Sequence, residues 1–422
     1  MASRKTNAKR AAKAAKKYPQ LFAVIAVILV IIIVVFIVLY CMKLGPFKQD
    51  NSPEGANPEV TTGSEAEITN GDFSIHFLEL GNKYAGDSVL IKCGNTEVLI
   101  DAGSRQASAT AIKEYVDKYC TDGKLEYVIA THADQDHISG FVGNKNGNTR
   151  TGILYQYQIG TLIKFDNVKP DKEDGALYNN FLEACDYAKA QGADVYNASQ
   201  CYDMTDDGAQ RQYYLDDAQT LSINILYNYY YYNVDKNDEN NHSVVTLLTQ
   251  ETESGNKYYM FSGDLEQEGE SKLVDHYSNK DNSKSEYDIL PEVELYKAGH
   301  HGSKTSSTSK FLSVIKPKYV TVCCCAGSPE YTKTDANTFP TQQMINNVSR
   351  YTDKIYVTSV ATGLPELNDK GEFVSQSFGG YESMNGTVVF YFADGELKLW
   401  CSNNYTLLKD TEWFKQHRTW NV

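Results

Sequence analysis

Proline is scarce in this chain, with 10 residues among 422, which excludes collagen-like and proline-rich architectures. The nine cysteines include no CxxC pair and none of the spacings typical of small disulfide-linked domains. This pattern argues against a zinc ribbon or a disulfide framework. With 41% hydrophobic and 22% charged residues, the chain has instead the composition of a protein with a sizeable core.

Acidic residues are missing from the first 42 positions, where seven lysine and arginine side chains give a charge of +7. Since the whole chain carries −14, residues 43–422 carry −21. Such an acidic body argues against a broad phosphate-binding surface. It remains compatible with a local cationic centre, because bound metal ions would supply positive charge there.

Charge is also absent from residues 21–42, which read LFAVIAVILVIIIVVFIVLYCM. About twenty apolar residues span a bilayer as a helix, and this run is longer than the apolar region of a cleaved secretory signal. Because the positive charges precede it, we expect a basic cytoplasmic tail at 1–20 and a transmembrane signal anchor at 21–42. The sequence thus predicts a single-pass protein of the cell membrane with an extracytoplasmic remainder.

The remainder divides into a predicted flexible linker, residues 43–70, and one α/β domain, residues 71–422. The linker lacks apolar periodicity. In the domain, SVLIKC and EVLIDAG indicate a hairpin that turns at Gly94-Asn95, and ASATAIKEYVDKYC has the apolar spacing of a helix. The run VTVCCCAG predicts that Cys323, Cys324 and Cys325 lie in a buried strand.

The clearest chemical signal is THADQDH, residues 131–137, at the end of the apolar strand LEYVIA. It holds four potential ligands, and imidazole with carboxylate suits zinc, manganese or iron. The i, i+2 spacing points His132 and Asp134 to one side of an extended segment. The following turn brings Asp136 and His137 toward a second ion. The alternative, a solvated polar loop, is disfavoured because the four residues directly follow a buried strand.

Three further strand ends carry side chains of the same kind. Asp101 follows VLI, Asp264 closes FSGD, and His300 and His301 form the pair in GHHGS. Each motif alone is a moderate signal. Together they predict one sheet edge that gathers all four segments into a single site.

These motifs, with FLELG, DSVLI and VLIDAG before them, resemble the metallo-β-lactamase superfamily, and more closely the hydrolase domain of ComEC-type competence proteins. The similarity covers about residues 73–400. It implies a four-layer αββα sandwich of the α/β class with a two-metal site at one edge. The implied cofactors are two divalent ions, zinc or alternatively manganese.

The resemblance also implies a role for each candidate residue. His132 and Asp134 would bind the first metal, Asp136 and His137 would bind the second, and Asp264 would bridge the two. Either His300 or His301 would be the later histidine ligand. Asp136 and Asp264 would take part in catalysis, and Asp101 and Ser303 would support the ligands. His242, in NNHSVV, is a candidate extra ligand, with a surface or hydrogen-bonding histidine as the alternative.

Two positions depart from the family pattern. Asp134 stands where most of the superfamily has a histidine, as the ComEC-like branch also has. Phe339-Pro340 stands where related competence domains commonly have a histidine before proline, which leaves open whether the second metal position is fully occupied. The multi-span channel of competence proteins has no counterpart here, so we do not expect DNA uptake by this chain alone.

Three functions follow as hypotheses. The first is hydrolysis of a phosphodiester, with single-stranded nucleic acid outside the membrane as the implied partner. The second is hydrolysis of a lactone, a lactam or another envelope-related compound. The third is an inactive, metal-bound binding ectodomain, which the joint presence of HxDxDH and SGD disfavours. No protein partner is deducible, and fold alone does not decide the substrate.

Overall fold

The structure is a computed structural model that describes residues 64–146, 149–278 and 290–421. The predicted tail, the transmembrane anchor and most of the predicted linker lie outside these residues. At the end of that linker, helix α1 (Glu65–Ile68) forms and buries Ile68, so the folded body begins before the predicted boundary at residue 71. Among the described residues, no helix is both long and apolar enough to cross a bilayer.

Strands make up most of the described body. In chain order they are β1 (Phe73–Phe77), β2 (Val89–Cys93), β3 (Thr96–Ile100), β4 (Lys124–Ala130), β5 (Lys145–Asn146), β6 (Thr149–Arg150), β7 (Gln158–Lys164), β8 (Asp194–Asn197), β9 (Gln212–Tyr214), β10 (Leu221–Ile225), β11 (Thr246–Gln250), β12 (Lys257–Phe261), β13 (Leu295–Lys297), β14 (Tyr319–Ala326), β15 (Ile355–Thr362), β16 (Gly380–Ser383), β17 (Val388–Ala393) and β18 (Glu396–Cys401). The first sheet has the order β18-β17-β1-β2-β3-β4-β7-β8, and the second has the order β16-β15-β14-β13-β12-β11-β10-β9. Strands β5 and β6 form a separate ribbon.

Ten helices follow α1 within the described ranges. They are α2 (Ser108–Val116), α3 (Gln135–Val142), α4 (Ile153–Gln156), α5 (Pro170–Glu173), α6 (Ala176–Ala190), α7 (Ala198–Asp203), α8 (Gln267–Ser278), α9 (Ser309–Ile315), α10 (Gln342–Val348) and α11 (Glu412–His417). Helix α6 contacts β7 and β8 of the first sheet. Helices α8, α9 and α10 bury apolar side chains in one core cluster with strands of the second sheet.

The two sheets face each other through aromatic side chains. Phe77 of the first sheet stacks on Phe261 of the second, with ring centroids 6.2 Å apart. Phe73 meets Tyr259 edge to face at 5.6 Å. Such ring pairs stabilise a core beyond the area they bury. The predicted α/β class is therefore confirmed as a mixed α/β fold with two sheets.

Individual sequence predictions are confirmed where the apolar pattern was clearest. Strands β2 and β3 form the expected antiparallel hairpin, and α2 forms where helical spacing predicted it. The three consecutive cysteines, 323–325, lie buried in β14. The tyrosine-rich run at 227–233 contains a short 3-10 turn, Tyr229–Tyr231.

Parallel pairing places the motif loops at one edge. Strand β3 runs parallel to β4, and β12, β13 and β14 run parallel to one another. The carboxyl ends of neighbouring parallel strands lie on the same side of a sheet, so the loops that follow them converge. Asp101 and His132 reach this edge from the first sheet, and Asp264 and His301 reach it from the second.

Candidate metal centre

The THADQDH segment joins a strand end to a helix start. Strand β4 ends at Ala130, and α3 begins at Gln135 with Asp134 as its N-cap residue. Asp136 and His137 therefore lie in the first helical turn, where the helix dipole favours a carboxylate. Because the strand ends just before them, the four potential ligands all lie in the short segment that joins β4 to α3.

Three histidines and two aspartates form the centre. The Nε2 atoms of His137 and His301 lie 3.2 Å and 3.3 Å from Asp264 Oδ2. Ligand atoms lie within 4.8 Å of one another in the group His132, His137 and Asp264, and again in the group Asp136, His137 and His301. All three Nε2 atoms are buried without a hydrogen-bond partner. Buried polar atoms are nearly always partnered, so these residues fit a divalent cation.

Hydrogen bonds behind the histidines orient them. His137 Nδ1 donates to Asp101 Oδ2 at 2.7 Å, and His301 Nδ1 donates to the backbone carbonyl of Cys323 at 2.9 Å. With Nδ1 committed to these acceptors, Nε2 is the nitrogen that faces the centre. Against the effect of burial, neighbouring carboxylates raise the pKa of His137 and raise that of His301 to about 10, so a metal ion would displace the Nε2 protons. Asp101 is itself held by the backbone N–H of Thr131 at 2.8 Å. Asp101 thus lies behind a ligand histidine, where the resemblance predicts a supporting carboxylate.

Of the two consecutive histidines, the geometry favours His301 as a ligand. His301 is fully buried, and its Nε2 lies 3.3 Å from Asp136 Oδ2 as well as from Asp264. His300 is partly exposed, and its Nδ1 lies 3.0 Å from Glu266 Oε1 while its Nε2 is 4.0 Å from Asp264 Oδ2. The GHHGS motif leaves the choice between His300 and His301 open. Burial of the ring and the direction of its Nε2 atom favour His301.

Phe339 lies beside the second metal position, with its ring centroid 6.1 Å from that of His301. The described structure brings His301, and not a side chain at 339, to Asp136 and to Asp264. Occupancy of the second position stays a prediction.

Three other candidates, Asp134, Ser303 and His242, lie outside the converging groups, although Asp134 Oδ2 is 3.6 Å from His132 Nε2. Ser303 makes its side-chain hydrogen bond to Thr305 Oγ1, 2.9 Å away in the same loop. His242 is buried, its Nε2 accepts from the backbone N–H of Asp235 at 3.1 Å, and burial lowers its pKa to about 4. It belongs to none of the metal-ligand groups found among the described residues. The hydrogen-bonding interpretation of His242 is therefore favoured over a ligand role.

Sequence reasoning missed two buried charges beside the centre, Asp87 and Lys297. The Lys297 ammonium pairs with Asp87, lies 3.5 Å from Asp264 Oδ1 and donates to the Gly263 carbonyl at 3.1 Å. Lysine is almost never buried without a partner. A lysine at the end of the apolar strand before GHHGS could therefore have indicated a buried ion pair at this position. Asp87 precedes β2, so it lies at the start of a strand, whereas the residues of the recognised motifs follow the ends of strands. Antiparallel pairing of β2 with β3 brings that start to the same edge.

The electrostatics keep the central carboxylates ionised. Burial acts to raise the pKa of Asp264, but the charges of His137, His301 and Lys297 hold it well below its usual range. Burial likewise opposes ionisation of Asp136, and contacts with His301 and His137 hold its pKa low. Ionised carboxylates are the form that binds a metal ion.

Two facing sheets with a histidine–aspartate centre at their parallel-strand ends are the arrangement that the resemblance to metallo-β-lactamase-fold, metal-dependent hydrolases implies. Residues 81–143 match the family model described as the metallo-beta-lactamase superfamily. The resemblance predicted from the motifs is therefore confirmed for this segment, and a metal-dependent hydrolase without a specified substrate agrees with it.

Individual relatives are more distant. The competence protein ComA of Neisseria gonorrhoeae is 24% identical over 307 residues, which are 73% of this chain and 33% of that protein. The chain thus spans about a third of the length of this relative. Among solved structures, the metallo-beta-lactamase fold protein YhfI from Bacillus subtilis is 12% identical, with a TM-score of 0.33, over 72% of this chain and 98% of its own. CmlA, a diiron beta-hydroxylase from Streptomyces venezuelae, is 10% identical, with a TM-score of 0.32, over 60% of this chain and 45% of its own.

The paired histidines provide a matched test. We expect His301→Ala to lower the bound metal per protein at least about tenfold, because it removes a nitrogen that faces two carboxylates. His300→Ala should retain metal close to the wild-type level, since its ring contacts Glu266. Elemental analysis after desalting measures both. Equal loss in the two variants would contradict the assignment of His301.

Lys297 provides a test of charge balance. In metal-free protein, Lys297→Met leaves Asp87 and Asp264 buried without their ammonium, and we expect a loss of about 3–5 kcal/mol in the free energy of unfolding. Urea unfolding in the presence of a chelator measures this loss. The exposed Lys304→Met is the control and should change stability by less than about 0.5 kcal/mol. Similar values for the two variants would show that Lys297 has no such role.

Proposed function

We propose that this chain is a membrane-anchored, extracytoplasmic phosphodiesterase of the nuclease type. The observation that carries the proposal is the convergence of three buried imidazole Nε2 atoms on the carboxylates of the centre, without a well-directed hydrogen bond at any of them. A structural core gains little from buried polar atoms that face one another without good hydrogen bonds. A hydrolase that holds a divalent ion at this edge accounts for all of them.

A divalent ion at this centre supplies Lewis acidity, which lowers the pKa of a water molecule and offsets developing charge on a phosphoryl oxygen. The side chains of this chain do the positioning. Asp264 holds the middle of the group, and Asp136 offers a carboxylate oxygen for ligation or proton acceptance. Tyr331 donates its hydroxyl hydrogen to Asp136 Oδ2 at 2.6 Å, so a phenol lies at the opening of the site.

The surroundings favour a single-stranded or small phosphodiester over a long duplex. Tyr331 is 52% exposed, and its ring lies 5.8 Å from that of Phe339, beside the centre. Exposed aromatic rings stack with unpaired bases. The acidic body offers little counterion release, which is what long duplexes need for tight binding. The curated relative is named a competence protein, and the ComEC-type resemblance implies single-stranded DNA as a substrate.

The proposed location follows from the residues before the described body. The apolar run at 21–42 would anchor the chain in the cell membrane, and the basic tail would stay in the cytoplasm. The domain would then meet its substrate outside. The proposed cofactor is zinc, with manganese as the alternative, since both accept imidazole and carboxylate ligands.

Cleavage of defined substrates tests the activity. We expect metal-loaded protein to cleave labelled single-stranded DNA and bis(nitrophenyl) phosphate, and Asp264→Ala to be slower by at least about a hundredfold, because Asp264 lies in the centre of the ligand group. Zinc and manganese are tested in parallel, with duplex DNA and a lactone as comparison substrates. If the wild type and the variant cleave no phosphodiester at different rates, the lactone or the binding-module hypothesis replaces this one.

Protease accessibility tests the location. Protease added to intact cells should cut within residues 43–63 and release the domain, because this segment is predicted to be an exposed linker outside the membrane. An epitope placed before Arg4 should remain protected until the cells are permeabilised. Cleavage of that epitope in intact cells, with a protected domain, would reverse the orientation.

A further inference from the structure

The two proposed metal positions share Asp264 but differ in their other ligands. The resemblance assigns Asp136 and His137 to the second position, where the structure adds His301, and it assigns His132 and Asp134 to the first position. Asp134 lies outside the groups of converging ligand atoms found among the described residues, but its Oδ2 is 3.6 Å from His132 Nε2. Burial also distinguishes them. The side chain of Asp134 is 26% exposed, whereas that of Asp136 is 12% exposed.

A lysine from a different part of the chain contacts only the first position. Lys172, on the short helix α5, pairs its ammonium with Asp134 Oδ1. The other oxygen, Asp134 Oδ2, lies 3.6 Å from His132 Nε2. The carboxylate that should bind a cation there is therefore already neutralised on one side by a fixed positive charge.

The second position has no ammonium of its own among the described contacts. Asp136 accepts from the neutral hydroxyl of Tyr331 and lies beside His301 and His137. Lys297 does not distinguish the positions, because it lies 3.5 Å from Asp264, which both share. Lys172 does distinguish them, since its direct ion pair is with Asp134 and its charge acts less strongly on Asp136.

We propose that Lys172 competes with a divalent cation for Asp134, so that one ion binds tightly at the second position and the other weakly at the first. The proposal rests on the metal centre of the proposed function and deepens it. Repulsion between the ammonium and a cation on the same carboxylate weakens binding, since like charges a few ångströms apart are costly where solvent is partly excluded. Loading of the first position then depends on the free metal concentration.

Lys172→Met tests the proposal, because methionine keeps most of the side-chain length and removes the charge. Full-length protein in detergent is stripped with a chelator, titrated with zinc or manganese, and followed by calorimetry and by elemental analysis. We expect the wild type to bind one ion tightly and a second more weakly. In Lys172→Met, the dissociation constant of the weaker ion should fall at least about tenfold, while that of the tighter ion changes by less than about threefold.

Two further variants serve as controls. Lys169→Met removes a positive charge three residues earlier on the same segment and should leave both constants unchanged. Asp134→Asn should abolish the weaker ion and spare the tighter one. Because Lys172 and Asp134 are partly exposed, these variants should unfold at temperatures close to that of the wild type, which thermal denaturation verifies.

The outcomes separate the possibilities. Weaker binding of the second ion in Lys172→Met would overturn the proposal, because Lys172 would then be holding Asp134 in place for the metal. An unchanged constant would overturn it as well. If His301→Ala also binds both ions as the wild type does, the metal centre itself fails, and with it the proposed function.

Discussion

The ion pair between Lys297 and Asp87, with Asp264 beside it, is the interaction on which the rest of the centre depends. Lys297 is the last residue of β13, a central strand of the second sheet, and it is 2% exposed. Its ammonium is the strongest of the charges that oppose burial and lower the pKa of Asp87, and together with His137 and His301 it lowers the pKa of Asp264. Removing it would leave two buried carboxylates with less compensating positive charge.

The arrangement of the histidines follows from the negative charge of Asp264. His137 and His301 both turn Nε2 toward Asp264, and each is held from behind by an acceptor for its Nδ1 proton. One of those acceptors is Asp101 on the first sheet, and the other is the Cys323 carbonyl on the second. The centre therefore spans both sheets, and its geometry depends on their being packed face to face.

Two pairs of side chains flank the metal-ligand candidates. Lys172 pairs with Asp134, and the rings of Tyr331 and Phe339 lie 5.8 Å apart beside Asp136 and His301. Both pairs therefore join segments distant in sequence to the candidate centre.

The sequence alone determined the class of fold and most of the candidate ligands, because both depend on local patterns. Apolar alternation marked the strands, and HxDxDH, SGD and GHHGS stood directly after them, so Asp101, His132 and Asp264 were predictable. It did not determine the choice between His300 and His301, since that depends on which ring the turn buries. Nor did it reveal Asp87, Lys297, Lys172 or Tyr331, which come from distant segments. Only tertiary packing brings these side chains to the centre. The buried positive charges beside each carboxylate then keep that carboxylate ionised.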